Sequence, residues 1–460
     1  MRFTDGQNIH FIGIGGFGIS AIARILLERG FSISGSDRNS NALAEALARD
    51  GATIYQGHSA DYVKDADMVI ATSAVGEDHV EVVAAKEQGI PVYKRRDILA
   101  PLMEGKKVIA IAGTHGKTST TSMVVHILLE RGLDPSYIVG GVMPNTGTNA
   151  GEGKSGIFVI EADEYDNMFL GLKPDIAVIT SIEYDHPDFF KSEEVLIKSF
   201  REFVGLLAED GVLLACGQYP IATSLAEKRR NGGNDVELYA SGDGRWSPEN
   251  ITISEDGITS FTFSTSQGSP ALTVKLSVPG MHNIMNAIAA IYAVQSFVSC
   301  DDAAKALATF KTTGRRFDIR GEMNDIIVVD DYAHHPTAVK TTLEATRMRY
   351  PEHTAWAVWQ PHMYSRTQQL VDDFAVAFDA ADHVIVTDIY FAREDPIDGV
   401  DGAWMAGKIK HDSVRHKAIF SDIVDLLVDE VNAPAVIIIM SAGDAPKIGE
   451  DFLNMIEARQ

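Results

Sequence analysis

The stretch that most constrains this chain runs from Val108 to Ser119 and reads Val-Ile-Ala-Ile-Ala-Gly-Thr-His-Gly-Lys-Thr-Ser. Its short apolar run, rich in β-branched residues, predicts a buried strand. A glycine-bounded loop follows, and a helical pattern then continues from Thr118 to Leu129. Strand, glycine loop and helix make a phosphate cradle, because backbone N–H groups face the loop and the helix N-terminus adds about half a positive charge. Gly113, Thr114, Gly116 and Ser119 would shape it. Lys117 would reach the β- and γ-phosphates of ATP, and the Thr118 hydroxyl would ligate Mg²⁺. The loop is shorter than the usual Walker pattern, and a plain strand-to-helix turn with an exposed lysine is the alternative. The flanks on both sides favour a nucleotide site.

A second glycine loop lies near the N-terminus. Ile9-His10-Phe11-Ile12 reads as a strand entering Gly13-Ile14-Gly15-Gly16-Phe17-Gly18, with a helix from Ile19 to Glu28 and a strand ending at Ser36-Asp37. This is the dinucleotide fingerprint with its acidic residue about 20 positions on. Gly13 would make the tight turn, Gly15 would admit a diphosphate, and Gly18 would let the helix pack on the sheet. By itself it would suggest NAD, although a UDP-sugar can occupy the same loop. Further βα units follow, with Met68–Ala71 a strand opening onto Ser73 and Val80–Glu87 a helix. The cluster Lys94-Arg95-Arg96 is either a solvated patch or part of a site.

Downstream of the phosphate loop, Gly140–Ala150, which includes Asn149, is expected to be a long functional loop. The strand Ile157–Ile160 ends in Glu161-Ala162-Asp163-Glu164-Tyr165-Asp166. Four carboxylates at a strand end beside a phosphate loop suit Mg²⁺, with Mn²⁺ possible, since both prefer hard oxygen ligands. Another strand delivers Asp185-His186, and His186 is a candidate ligand of a second ion. From Glu237 to Val278 the pattern turns to period two, a small antiparallel insert. A last α/β unit begins at Gly314-Arg315-Arg316-Phe317. Its strands end in Asp331-Tyr332-Ala333-His334-His335, Gln360-Pro361-His362-Met363-Tyr364-Ser365-Arg366, Asp388-Ile389-Tyr390 and Ser441-Ala442-Gly443-Asp444. Polar clusters at the carboxyl ends of successive strands mark where open α/β sheets bind ligands.

The 460 residues suit about three domains. The expected fold class is α/β in three units: residues 1–104 a Rossmann-like diphosphate-binding domain, 105–312 a P-loop-type ATP-binding domain carrying the insert, and 313–460 a second Rossmann-like domain whose polar groups face a shared cleft; the resemblance given below implies UDP for the first and an amino acid with ATP for the third. Lys+Arg 40 against Asp+Glu 64 leaves a charge of −24, which disfavours nucleic acid and anionic membranes as partners. Cys216 and Cys300 provide no disulfide framework. The apolar run Ile9–Ile14 is too short for a signal or a span, so the expected location is cytoplasmic. The state is monomer or homodimer.

A diphosphate site, a nucleotide site with Mg²⁺ and a shared cleft are the equipment for activating a carboxylate with ATP. In order, His10–Gly16, Gly113–Ser119, Glu161–Asp166, Asp185-His186, His282-Asn283, Gly314–Phe317, Asp331–Pro336, Gln360–Thr367 and Ser441–Asp444 resemble the Mur ligase family of peptidoglycan synthesis. Within that family they look most like the members that add L-alanine to UDP-N-acetylmuramate. The resemblance implies amide formation through an acyl phosphate, with Lys117, Glu161, His186, His334 and Arg366 catalytic. Gly15, Gly16, Gly18, Ser36, Asp37 and Ser73 would hold the UDP part. Asn149, Tyr332, His334 and Arg366 would face the rest of the substrates. Glu161, with Thr118, would hold one Mg²⁺, and His186 a second. His282 and Asn283 would meet the adenine, and Arg316 and Asp331 would reach the nucleotide. Met363 stands where the alanine-adding enzymes usually carry arginine. Glu164-Tyr165-Asp166 resembles the relative that recycles a tripeptide onto the same sugar nucleotide. Two further readings are an NAD-dependent oxidoreductase and a nucleotide-binding protein without chemistry.

Overall fold

In the computed structural model, which describes residues 2–242, 245–266, 268–392 and 394–459, four β-sheets follow one another along the chain. The first holds five parallel strands: β1 (Asn8–Ile12), β2 (Ser32–Asp37), β3 (Thr53–Gln56), β4 (Met68–Ala71) and β5 (Val92–Lys94). Their order, β3-β2-β1-β4-β5, reverses direction at β1, so the loops after β1 and β4 flank the crevice where such sheets take ligands.

The second sheet comprises β6 (Lys107–Ala112), β7 (Ser136–Met143), β8 (Thr148–Gly151), β9 (Ile157–Glu161), β10 (Ile176–Ile179), β11 (Val212–Cys216) and β12 (Val236–Tyr239). The order is β12-β11-β10-β6-β9-β7-β8, with β8 antiparallel to β7 and the remaining pairs parallel. Burial on both faces explains why β6 is a continuous apolar run after Lys107. Two expectations change here. Gly140–Ala150 is a hairpin formed by β7 and β8, not a free loop, with Gly147 at φ 69 in its turn. The period-two region also begins later than Glu237, because β12 pairs in parallel with β11.

The insert is the antiparallel trio β13 (Glu249–Ile253), β14 (Thr259–Phe263) and β15 (Leu272–Leu276). Thr259, Phe261 and Phe263 point inward while Ser260 and Thr262 do not, the alternation of a sheet with one covered face. The phenylalanines join a core with Trp246 and the helix Met281–Val294, which lies along the helix Lys117–Glu130. The fourth sheet has β16 (Asp318–Met323), β17 (Ile326–Asp331), β18 (Thr354–Trp359), β19 (His383–Val386), β20 (Val414–His416) and β21 (Ala435–Met440), ordered β16-β17-β21-β18-β19-β20. Only β16 runs antiparallel among these described pairs.

Register aligns the polar strand ends. Ile111 pairs with Glu161 and Ala112 with Ile179, so the phosphate loop, the acidic turn and the residues after β10 leave the sheet side by side. Asp331 and Trp359 both pair with Met440, which brings Tyr332, Gln360 and Ser441 to one edge. No described helix is long and apolar enough to cross a membrane.

Candidate active site

The phosphate loop is held by its neighbours before any ligand arrives. Gly113 has φ 137, and a Cβ there would overlap the Thr180 hydroxyl, so only glycine fits. The Thr114 hydroxyl donates to the Glu183 carbonyl at 2.9 Å, and the His115 N–H donates to Ser181 Oγ at 2.9 Å. Ser119 is half-buried in the first turn of the helix that Gly116 precedes. Lys117 Nζ donates to the Gly113 carbonyl at 2.6 Å and stands 2.8 Å from Glu164 Oε2. Burial pulls the Lys117 pKa down, but Glu164, Asp163 and Glu161 outweigh it and hold the ammonium above its ordinary range.

Three groups frame that lysine. The Thr118 hydroxyl donates to Glu161 Oε1 at 3.0 Å, and the Gly140 N–H donates to Glu161 Oε2 at 2.7 Å. Desolvation raises the Glu161 pKa despite Lys117 and these donors. Glu164 is also pushed up by burial, yet Lys117 and His186 win and leave it below the ordinary carboxylate value. His186, at φ 56, puts Nε2 3.6 Å from Glu164 Oε1 and 3.9 Å from Asp185 Oδ2. Burial lowers the His186 pKa, but Asp185 and Glu164 raise it further, so the imidazolium is favoured. Left-handed backbone recurs at Asp166 and Asn167, the kind of strain that clusters at functional turns. The sequence displayed Glu164 but gave no reason to prefer it over its acidic neighbours; burial against Lys117 distinguishes it.

In the first unit, Gly15 N–H donates to Asp37 Oδ2 at 2.9 Å, and Gly16 precedes the helix Phe17–Glu28. Ser73 is exposed just beyond β4. Ser36 has a different task from the one expected. Its hydroxyl is fully buried and donates to Glu81 Oε2 at 2.7 Å, in a cluster with His10 and His58. The space beside Gly18 is filled by the Arg95 guanidinium, whose Nη2 lies 3.3 Å from Asp163 Oδ2 of the acidic turn. The cluster at Lys94-Arg95-Arg96 is therefore structured. Lys94 Nζ donates to the Val75 carbonyl at 2.8 Å. Asn149 is buried, and its amide donates to the Phe17 carbonyl at 2.9 Å, fastening the hairpin to the first unit.

From the third unit, Arg366 enters the same cleft. It is 2% exposed, with Nε 2.8 Å from Asp185 Oδ1 and Nη1 3.1 Å from His362 Nδ1. Met363, at φ 72, is buried with Sδ 3.7 Å from Arg366 Nη1, so its side chain packs against the cation and offers no second charge. His334 Nδ1 lies 2.8 Å from the Tyr332 carbonyl, an acceptor only, which assigns the proton to Nδ1 and the lone pair to Nε2. Burial, then Arg366, drives its pKa well below 6.5, so His334 is neutral. The Tyr332 ring carries the Arg315 and Arg316 guanidinium carbons at 5.3 and 5.0 Å. Arg316 Nη2 reaches Thr118 Oγ1 at 3.5 Å. Asp331 is a correction: its oxygens are taken by the N–H groups of Phe317 at 2.7 Å and Ala333 at 2.9 Å, so it braces the hinge. Asn283 likewise donates to the Pro279 carbonyl at 2.7 Å, while His282 is neutral, its pKa lowered to about 4 by burial and then Arg316 and His115. Beyond Tyr390 the sequence continues Arg393-Glu394-Asp395-Pro396, a run like that of the alanine-adding relatives, and Arg393 lies outside the described residues.

Comparison with known proteins gives three family matches in chain order. Residues 8–107 match the Mur ligase family catalytic domain, 111–294 the Mur ligase middle domain, and 315–443 the Mur ligase glutamate ligase domain. The chain is 40% identical over 461 residues to UDP-N-acetylmuramate–L-alanine ligase of Renibacterium salmoninarum, covering 99% of this chain and 97% of that one. It is 40% identical over 456 residues to the enzyme of the same name from Clostridium botulinum strain Loch Maree, covering 98% of each. Among solved structures, UDP-N-acetylmuramate-alanine ligase from Thermotoga maritima superimposes with a TM-score of 0.80 at 27% identity, covering 99% of this chain and 100% of that one. A murein peptide ligase from Psychrobacter arcticus gives 0.68 at 25%, covering 98% of each.

Proposed function

This chain belongs to the Mur ligase family, and we propose that it uses ATP to join L-alanine to the lactyl carboxylate of UDP-N-acetylmuramate in peptidoglycan precursor synthesis. One observation carries the reading furthest. Arg366 of the third unit is buried against Asp185, beside the Lys117–Glu164–His186 cluster, so the nucleotide loop and the third unit's strand ends share a cleft. Residues 1–104, 105–312 and 313–460 serve as the working units for UDP, ATP and amino acid.

The lactyl carboxylate attacks the γ-phosphorus of ATP, ADP leaves, and an acyl phosphate forms. The amine of L-alanine then attacks the acyl carbon and phosphate departs. Lys117 meets the phosphate oxygens, exchanging Glu164 for them, and its fixed ammonium stabilises the transferring phosphoryl group. His282 faces the adenine, with Asn283, its amide held by the Pro279 carbonyl, shaping the turn beside it, and Arg316 approaches the phosphates over Thr118. Gly15, Gly16, Gly18, Asp37 and Ser73 receive the sugar nucleotide, with Arg95 added as a cation beside Gly18. Tyr332, Arg366 and the Nε2 lone pair of His334 orient the carboxylate and the amine. The donor set fits Mg²⁺, with Mn²⁺ the other hard ion it suits. A hydroxyl and a carboxyl held protonation-prone by desolvation stand beside a second acid, Glu164, whose buried Oε2 is ion-paired with Lys117 at 2.8 Å but accepts no hydrogen bond. Thr118 and Glu161 would hold one such ion and His186 a second, His186 first losing its proton. When bound, it would neutralise charge on the phosphoryl oxygens.

The test is phosphate release from ATP with UDP-N-acetylmuramate present, adding L-alanine, glycine, L-serine or the tripeptide in turn. Fast release with L-alanine is expected. Release with the tripeptide alone would transfer the assignment to the recycling activity, which the Glu164-Tyr165-Asp166 turn alone favours. ATP hydrolysis that needs neither substrate would overturn both.

A further inference from the structure

Three side chains of metal-ligating type meet beside the phosphate loop, and the ligation chemistry above uses none of them. They are His115 of the loop itself, Glu183 just beyond β10, and His335, the residue that caps the helix Pro336–Arg349 of the third unit. One ligand atom from each lies within 4.8 Å of the other two. His115 Nε2 stands 2.9 Å from Glu183 Oε2, but off hydrogen-bond geometry, so both atoms are buried without a hydrogen-bond partner. The His115 and His335 rings are 4.6 Å apart between centroids. The bonds His335 already has are long: 3.3 Å to the Tyr184 carbonyl and 3.3 Å from the Thr337 N–H.

We propose that His115, Glu183 and His335 form a three-ligand site for a borderline transition-metal ion of the zinc class, tying the central unit to the third. Two imidazoles and a carboxylate with an open fourth position are a common zinc donor set. Ligand atoms around a tetrahedral zinc lie about 3.3 Å apart, so the widest present separation closes by at most about 1.5 Å. The neighbouring groove, about 490 Å³ and lined in part by Glu183, His335 and Lys340, opens the pair to solvent, from which a fourth ligand would come. The set is softer than the oxygen-rich cluster at Thr118 and Glu161, so it selects a different ion.

The full chain, stripped of metal with a chelator and dialysed, would be titrated with Zn²⁺ by calorimetry and with Co²⁺ by visible absorption. Neither readout depends on ligase activity, so its failure is separate from any failure of the proposed reaction. His335→Asn removes the imidazole but keeps a capping side chain for the helix. Glu183→Gln removes the charge. His186→Ala serves as the control for the Mg²⁺ cluster. The expected result is one tight Zn²⁺ per chain and an intense tetrahedral Co²⁺ band, with binding at least about tenfold weaker and the band lost in both site variants, and both retained in His186→Ala. No tight Zn²⁺, a band indifferent to His335→Asn, or one lost in His186→Ala would each overturn the site.

Discussion

Replacing Arg366 by methionine tests whether one buried ion pair holds the third unit against the central one. The two side chains are 2% and 6% exposed, and Arg366 Nε is 2.8 Å from Asp185 Oδ1. Methionine keeps much of the volume but leaves the carboxylate desolvated and without its closest cation. Breaking one side of such a pair costs about 3–5 kcal/mol, a large part of the roughly 5–15 kcal/mol that holds a domain. The pH dependence has a definite sign. Burial raises the Asp185 pKa, but Arg366 first, then His186, His335 and His334, outweigh it and hold the group well below 3.8. In the wild type its stabilisation is therefore complete above the unfolded value near about 3.9, and is lost only as pH falls through the lower folded value. In Arg366→Met the strongest opposing charge is gone and the folded pKa rises. The variant's deficit should be greatest at pH 7 and shrink as acid neutralises Asp185. Urea unfolding followed by tryptophan fluorescence at pH 7 and pH 5 would measure it, taking the transition in which the third unit detaches. Adding Asp185→Asn should recover part of the loss. A deficit below about 1 kcal/mol at pH 7, or a double variant no more stable than Arg366→Met, would refute the reasoning.

Lys117→Ala should lower the rate of phosphate release by roughly a hundredfold or more, since it removes the fixed charge on the transferring group; a variant keeping more than about a tenth of wild-type turnover contradicts that role. Arg95→Ala should raise the KM for the sugar nucleotide by about tenfold, the loss of a charged hydrogen bond, while kcat changes little. An unchanged KM would return Arg95 to a purely structural place between Gly18 and Asp163. Gly113→Ala, forced to φ 137 and into the Thr180 hydroxyl, should cost about 1–3 kcal/mol and weaken ATP binding; thermal unfolding and a nucleotide titration at wild-type levels would show that the loop tolerates a side chain.

What the sequence revealed followed from strongly local signals. β4 and the helix Val80–Glu87 were legible to the residue, because apolar runs bounded by turn residues need no tertiary context. The hairpin at Gly140–Ala150 was not, since Gly140, Gly141 and Gly147 read as loop residues. Pairing with β9 and the anchoring of Asn149 to Phe17 override that local preference. The edge strands β3, β16 and β20 were missed as well, since their pairing too is set by tertiary neighbours. Sequence could bring Lys117, Glu161 and His186 into one domain, but it could not say which carboxylate faces the lysine. It also gave Ser36 and Asp331 ligand roles, whereas Ser36 is committed to Glu81 and Asp331 to backbone N–H groups of the hinge. Hydroxyls and carboxylates at strand ends bind ligands or close turns with the same atoms, and only coordinates distinguish the two.

The chain carries −24 and yet must take up two polyanions, and its cations show how. Arg95 is paired with Asp163 and Lys117 with Glu164, so each of these cations, proposed above to meet phosphate, rests on an acid of a single turn. A diphosphate arriving beside Gly18 competes with Asp163 for Arg95, and ATP competes with Glu164 for Lys117. Each exchange returns an uncompensated carboxylate to the turn where the divalent ion is proposed to sit, and so strengthens its hold on that ion. Such coupling is reciprocal by thermodynamic necessity. Mn²⁺ binding, followed by paramagnetic relaxation without ATP, should therefore tighten several-fold when UDP-N-acetylmuramate is added. Arg95→Met should bind Mn²⁺ more tightly from the start and lose most of the response, because its Asp163 is already free. Equal Mn²⁺ affinity with and without the sugar nucleotide in the wild type would mean that the Arg95–Asp163 contact joins the two units without carrying information between them.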